Sequence, residues 1–441
     1  MAGLKRAPHA KTDMEKIQNY QAHQAKLPGM NLPWLQERRS LALDRMERSG
    51  MAFERDETWK HLSLSAFSLP DRIEADHPAL EAQIPELIAS NGPLISFRDG
   101  QIHEISTGGL ENGLTLLDFA SALEKHPEQI LEILKYVPTP EQGAANLVTA
   151  LAGAGAFIDV PEGMVLGEPI QIQSLSTGKT TLNALHHFIR IRKGARATLI
   201  VHHAGPDEVR HLTLTNTTIL LEEGASLDHY KLQREGNDCH HFEGICIEQS
   251  GDSGYHQLQV ALGGRIARTD IHPILGDRAH CDLDGIFLAK DKMQLDTHTR
   301  IIHRGQQTKS RDAYRGIATG EGRGIFQGRI IVEAHARKAL AEMQSRNLLL
   351  SEMAEIDARP ELEIHHDDVQ CAHGVTVGQL DDAHLFFLAS RGIDPIEAKK
   401  ILTFGFANEV LGKVRPEPLR KHAHILIERE IEKALMEEDN I

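Results

Sequence analysis

Aromatic residues are scarce in this chain, at 5% of 441 positions. A glycan-processing groove needs convergent carboxylates over a surface that holds sugar rings, so the scarcity disfavours a polysaccharide enzyme. Cysteine is also sparse. Cys239, Cys246, Cys281 and Cys371 form no CxxC or other close pair, which excludes a zinc ribbon and argues against a disulfide framework. No stretch offers 18 uninterrupted apolar residues, and the opening MAGLKRAPHAKTDMEKIQ has no apolar core for a signal peptide, so the expectation is a cytoplasmic protein with no membrane contact. Positive charge is in deficit as well: 48 Lys and Arg against 63 Asp and Glu leave a net charge of −15. Phosphate binding needs clustered cations, and nucleic acid is therefore not expected as a partner. A nucleophile elbow of the GxSxG kind is absent too.

Histidine is plentiful, with 26 copies, several in pairs: His186 and His187, His202 and His203, His240 and His241, His365 and His366. On a strand, adjacent residues face opposite sides, so each pair offers one imidazole per face and permits metal binding without showing it. From Leu32 to Pro138 the apolar residues recur mainly at helical spacing, as in LTLLDFASALEKHPEQILEILKYV, with short strands expected near ISFRDGQIHEIS. From Ala156 the texture changes to short β-rich runs separated by Gly, Asp and Asn, sustained for over two hundred residues. Within it, IRKGARATLIVHH, LLEEGASLDHYKL and ILGDRAHCDLDGIF each read as strand, tight turn and strand. Units that cannot bury a face alone are the mark of a stacked solenoid, here a parallel β-helix; a β-sandwich satisfies the same short-strand pattern. After Gly378 the helical period returns. Gly392 stands where a helix ends, and Asp394, Pro395 and Glu397 supply an N-cap, a first-turn proline and a capping-box acid for the next. In that helix Ala398, Ile401, Leu402, Gly405 and Phe406 form an apolar stripe, suited either to the protein's own β unit or to docking another protein.

The long stretch from Lys309 to Asp394 carries several elements in fixed order: Ser310-Arg311, GRGIFQGRIIV, Gln344 with Asn347-Leu348-Leu349-Leu350-Ser351, Pro360-Glu361-Leu362-Glu363-Ile364, and Ser390-Arg391-Gly392-Ile393. Together they resemble the signature region of the SufB and SufD family of iron–sulfur cluster assembly proteins. DDVQCAHGVTVGQLD, from Asp367 to Asp381, resembles the pattern of the SufD branch, and so does the segment around Glu57 and Trp59. Ala372, Val375 and Phe387 depart from the family's commoner residues.

The resemblance implies a non-catalytic scaffold. It would have a mainly helical N-terminal region over 1–153, a core of right-handed parallel β-helix over 154–378 and a C-terminal helical region over 379–441. Its implied partners are a SufB-type subunit, a SufC-type ATPase bound by the C-terminal helices, and a sulfur-donating desulfurase system reached through SufB. Arg391, Gly392, Ile401, Leu402 and Phe406 fall in the implied SufC-docking helices. The implied cargo is a nascent iron–sulfur cluster shared with SufB; ATP enters through SufC alone, and reduced flavin is associated with such complexes as a whole.

If Val369 to Val375 is extended, Cys371 and His373 project on one face about 7 Å apart. Thiolate and imidazole both suit iron. From the residues alone, a small buried cysteine beside a histidine bonded to a backbone carbonyl is the favoured reading; the resemblance reverses it for His373, which it implies as a cluster ligand, with Cys371 as a second candidate. Other motifs fall short. STGKTTLN lacks the first P-loop glycine, since Gln173 stands there. The glycines of TGEGRGIFQG are expected to mark corners between strands. His365, His366, Asp367 and Asp368 cannot all converge from one strand, and the two acids suit a turn.

Overall fold

The computed structural model describes residues 23–24, 26–49, 59–62, 88, 91–108, 113–138, 143–178, 181–207 and 209–438. Strand follows strand in the central region: β1 (Leu94–Arg98), β2 (Gln101–Ser106), β3 (Thr115–Asp118), β4 (Ala156–Val160), β5 (Ile170–Leu175), β6 (Thr181–Ile191), β7 (Arg196–Ala204), β8 (His211–Leu221), β9 (Ser226–Arg234) and β10 (His240–Gln249). They continue as β11 (Gly254–Ala261), β12 (Ile266–Leu275), β13 (His280–Ala289), β14 (Gln294–His303), β15 (Lys309–Ala318), β16 (Arg323–Val332), β17 (Leu340–Leu349), β18 (Glu355–Ile364) and β19 (Gln370–Gly378). Odd strands from β5 to β19 line up in one sheet and even strands from β4 to β18 in another. Each pairs in parallel with the strand two places along the chain, as β10 does with β8 and β12. Parallel pairing at that interval is the winding of a solenoid and excludes the sandwich. At two strands per turn, the sixteen strands from β4 to β19 make about eight turns.

The turns explain why the three repeats were readable. Gly194 and Gly224 take φ of +67°, which glycine adopts without strain, and in the third repeat Arg278 takes φ +58° at the same place. The alanine that follows, Ala195, Ala225 or Ala279, is fully buried, because only a small side chain fits inside the corner. Gly320, at φ +61°, sits at such a corner as expected. Gly324 and Gly328 do not. They lie within β16, where a Cβ would come 2.3 Å from the Phe287 ring and 2.5 Å from the Met343 sulfur. Bulky neighbours fill the lumen over these two glycines.

The first turn begins inside the region expected to be mainly helical. Asp99 and Gly100, both at positive φ, close a hairpin between β1 and β2. β1 then pairs with β5 and β3 with β4, so both sheets extend into this segment. The Asp99 carboxylate accepts from the Thr177 and Gly178 amides at 2.5 and 2.6 Å. The Thr177 and Gly178 amides, which a phosphate at the STGK segment would need, are thus already taken.

Seven helices occur among the described residues: α1 (Pro33–Ser49), α2 (Phe119–Lys125), α3 (Pro127–Tyr136), α4 (Gly143–Leu151), α5 (Asp382–Ala389), α6 (Pro395–Leu411) and α7 (Glu417–Glu438). None is long and apolar enough to cross a membrane. Over much of their extent both sheets bury apolar residues on both faces, as parallel sheets covered on each side do. The lumen is filled by residues such as Ile172, Ile189, Leu227, Ile271, Phe287 and Phe326. Outside the even-strand sheet, Leu43, Met46, Leu147 and Leu151 of α1 and α4 pack on Leu212, Leu214 and Phe242. Outside the odd-strand sheet, α6 and α7 lay Val410, Leu419, Ile427 and Ile431 on Tyr230, Leu258, Ile286 and Ile317. A buried Lys290–Glu430 ion pair at 2.7 Å ties α7 to the solenoid.

Trp59, from the segment singled out in the sequence, is buried against Phe242 at 5.8 Å between ring centroids, with the Arg268 guanidinium 3.8 Å from its ring centroid. Its role is to seat the N-terminal region on the solenoid. Glu57 lies outside the described residues.

Candidate functional site

A solenoid must end, and its last turn is β18 and β19. Each pairs on one side only, β18 with β16 and β19 with β17. Along the other side of each strand the backbone N–H and C=O groups have no neighbouring strand among the described residues. Such edges are templates for strand addition unless charge, proline or bulges protect them. The two edges differ. β18 carries Glu355, Asp357, Arg359, Glu361 and Glu363 on its outer face, with Pro360 within the strand. β19, QCAHGVTVG, has no acidic residue, lysine or arginine.

Cys371 and His373 both lie on β19, two positions apart and therefore on the same face. Register puts Cys371 beside Ala341 and His373 beside Met343, two buried members of the lumen core, so this face continues the lumen wall. Cys371 is half-buried against that core, and burial pushes its thiol pKa up. His373, two residues further along the same strand, is exposed. The pairing geometry expected from the sequence is present, but the two side chains meet different surroundings. An exposed imidazole is ready to ligate, whereas the thiol must lose its proton, as metal coordination makes it do.

The loop between β18 and β19 holds His365, His366, Asp367 and Asp368. His365 Nε2 lies 2.8 Å from a Glu363 oxygen, and His366 Nδ1 accepts from the Asp368 amide at 2.9 Å. They make a turn with local bonds and no convergent centre.

At the C-terminal helices, Asp394 caps α6 by accepting from the Ile396 amide at 2.9 Å, and Gly392 takes φ +82° in the link. α6 buries Ala398, Thr403, Ala407, Val410 and Leu411. Ile401 and Gly405 are exposed, while Leu402 and Phe406 are partly covered. The stripe read from the sequence therefore straddles two faces, and Ile401 looks away from the solenoid. α5 buries none of its residues. Phe386 is 76% and Phe387 53% exposed, with the Arg391 guanidinium 4.6 Å over the Phe387 ring. Ile396 and Ile401 of α6 are exposed as well.

Sequence reasoning missed the lumen itself. At alternate positions β8 places Thr213, Thr215 and Thr217 inside, and β9 and β10 place Lys231, Glu243 and His241 there, all buried. The signal was available as inward-phase polar residues recurring in successive strands, but the phase of each strand is fixed only once its neighbours are known.

The fold and this edge define a solenoid protein whose exposed chemistry sits at its open end. A model of the SUF system FeS cluster assembly SufBD core domain matches residues 174–406, and one of the SufBD protein N-terminal region matches 10–172. The chain belongs to the SufBD family of iron–sulfur cluster assembly proteins and is of the SufD type. It is 32% identical over 281 residues to iron–sulfur cluster assembly protein SufD of Escherichia coli, covering 63% of this chain and 66%, just under two thirds, of that protein. To SufD of Bacillus subtilis it is 24% identical over 328 residues, 73% of this chain and 75% of that one. A SufBD family protein of Synechocystis is 24% identical over 419 residues, covering 91% of this chain and 92% of that protein.

Proposed function

We propose that this chain is a cytoplasmic, non-catalytic scaffold subunit that joins a SufB-type partner through β19 and β18 and a SufC-type ATPase through α5 and α6. The observation that carries the reading is the last turn: two strands paired on one side only, with lumen-facing residues left half covered. Partly buried Ile356, Leu362, Val369 and Cys371 pack on the lumen core at this end. A second solenoid continuing the sheets would cover them and satisfy the edge backbone groups at once. His373, on β19, would then face the joint, where an imidazole from one subunit and ligands from the other share a nascent cluster that remains releasable. Cys371 is the second candidate ligand. The exposed Phe386, Phe387, Ile396 and Ile401 support α5 and α6 as the SufC-docking element. ATP hydrolysis then belongs to SufC, whose movement would reach the scaffold through α6.

The test is co-expression with the SufB and SufC partners, purification through a tag on this chain, and reconstitution with iron and sulfide under visible absorbance. Co-purification with a cluster that His373→Ala weakens or loses is expected. A chain that binds neither partner, or a cluster indifferent to the substitution, would overturn the corresponding half of the proposal.

A further inference from the structure

The lumen of the early turns holds a charged cluster remote from β19. His203 on β7 comes from one sheet, and His241 and Glu243 on β10 from the other. All three are buried, and one donor atom of each lies within 4.8 Å of the other two. His203 is the anomaly. It is fully buried, and neither ring nitrogen has a hydrogen-bond partner. An unsatisfied buried polar group costs about 1–3 kcal/mol. Burial drives its pKa down to about 3, which leaves the imidazole neutral and able to ligate.

His241 is oriented for the same task. Its Nδ1 lies 2.7 Å from Glu235 Oε2, and its Nε2 faces Glu243 Oε2 at 3.5 Å. A carboxylate behind one ring nitrogen, with the other turned to the site, is how ligating histidines are held. Glu235 and Glu243 both have pKa values below the usual carboxylate range despite burial, through His241 and His211 for the first and Lys231 for the second. Two buried anions thus face the Lys231 ammonium and His241, whose pKa the neighbouring Glu235 carboxylate raises despite burial. That ammonium, Lys231 Nζ, contacts Glu243 and also lies 3.4 Å from His241 Nε2 and 2.8 Å from Thr269 Oγ1. It stands where a cation is wanted and has Thr269 as an alternative partner.

We propose that His203, His241 and Glu243 form an internal site for one divalent transition-metal ion, which displaces the Lys231 ammonium toward Thr269 and pins the two sheets together across the lumen. Two imidazoles and a carboxylate suit zinc or ferrous iron. Ligands at about 2.0–2.1 Å from a tetrahedral ion stand roughly 3.3 Å apart, so the site closes by about an ångström or so of side-chain movement. Five strand spacings separate β9, which carries Lys231, from β19, or about 24 Å, so this resident ion is distinct from any cluster held at His373. The inference is independent of the proposed partners.

The test uses the full-length chain stripped of metal and titrated with Co²⁺, read by equilibrium dialysis, visible d–d absorbance and thermal melting. One tightly bound equivalent with intense low-coordinate bands and a raised Tm is expected. His203→Ala should weaken this binding at least tenfold, Lys231→Met should tighten it by a similar factor by removing the competing cation, and exposed His335→Ala should leave it unchanged. Binding that is absent, or equally strong in wild type and His203→Ala, would overturn the proposal. Should His203→Ala fail to fold, Lys231→Met decides alone: unchanged or weaker Co²⁺ binding in the folded variant refutes the site.

Discussion

Replacing Asp312 by Asn should stabilise this protein, and by more at pH 8 than at pH 5. Asp312 is fully buried on the lumen face of β15, in register between Leu283 and Met343. Burial raises its pKa from 3.8 to about 7, only partly opposed by the hydrogen bond it accepts from the Thr299 hydroxyl. The folded carboxyl therefore keeps its proton over a range in which the unfolded one has lost it, and stability falls as pH rises between about 3.8 and 7. Each pKa unit corresponds to about 1.4 kcal/mol, so the loss approaches roughly 4 kcal/mol above pH 7, of which about 2–3 kcal/mol accrues between pH 5 and 8. Asparagine keeps the shape and cannot ionise, and the Thr299 hydroxyl can accept from its amide. Urea unfolding of both proteins at pH 5 and pH 8 should show the advantage of Asp312→Asn growing by about 2 kcal/mol or more. A difference that does not change with pH would refute the reasoning, because it would mean that Asp312 is ionised in the folded protein at little cost.

Further outcomes concern the packing and the edge. Lys290→Met strands Glu430 in the buried contact between α7 and the solenoid, and should cost about 3–5 kcal/mol, read as a lower Tm and earlier protease cleavage in α7. Adding an apolar replacement of Glu430 should restore most of that loss. Gly328→Val drives side-chain atoms into Met343 and should cost about 1–3 kcal/mol in a urea midpoint series. Thr376→Lys puts a charge on the uncharged β19 and should abolish capture of a SufB-type subunit while leaving the far-ultraviolet circular dichroism of the isolated chain unchanged.

Local chemistry was what the sequence determined. The strand-turn repeats were readable because each corner needs a positive φ followed by a small buried residue, and Gly194-Ala195 and Gly224-Ala225 state both requirements in two letters. The start of α6 was readable for a similar reason: Asp394 caps the Ile396 amide, Pro395 opens the helix and Glu397 is acidic in its first turn, all within one turn. His373 and Cys371 could be singled out from their neighbours, and their shared face follows from the period of a strand. The solenoid's extension into β1 to β3 was less readable, because β1 depends on β5, 77 residues further along, and β3 on β4, some forty further along. Only the tertiary structure decided which strand is last, and hence that β19 is an edge. It also decided which member of each histidine pair within the strands enters the lumen. His203 and His241 point inward while His202 lies near His422 of α7 outside, although nothing in the letters HH tells the two apart. A strand's side chains alternate by local geometry, but the phase of that alternation is set by the register of its neighbours, which is a property of the whole stack.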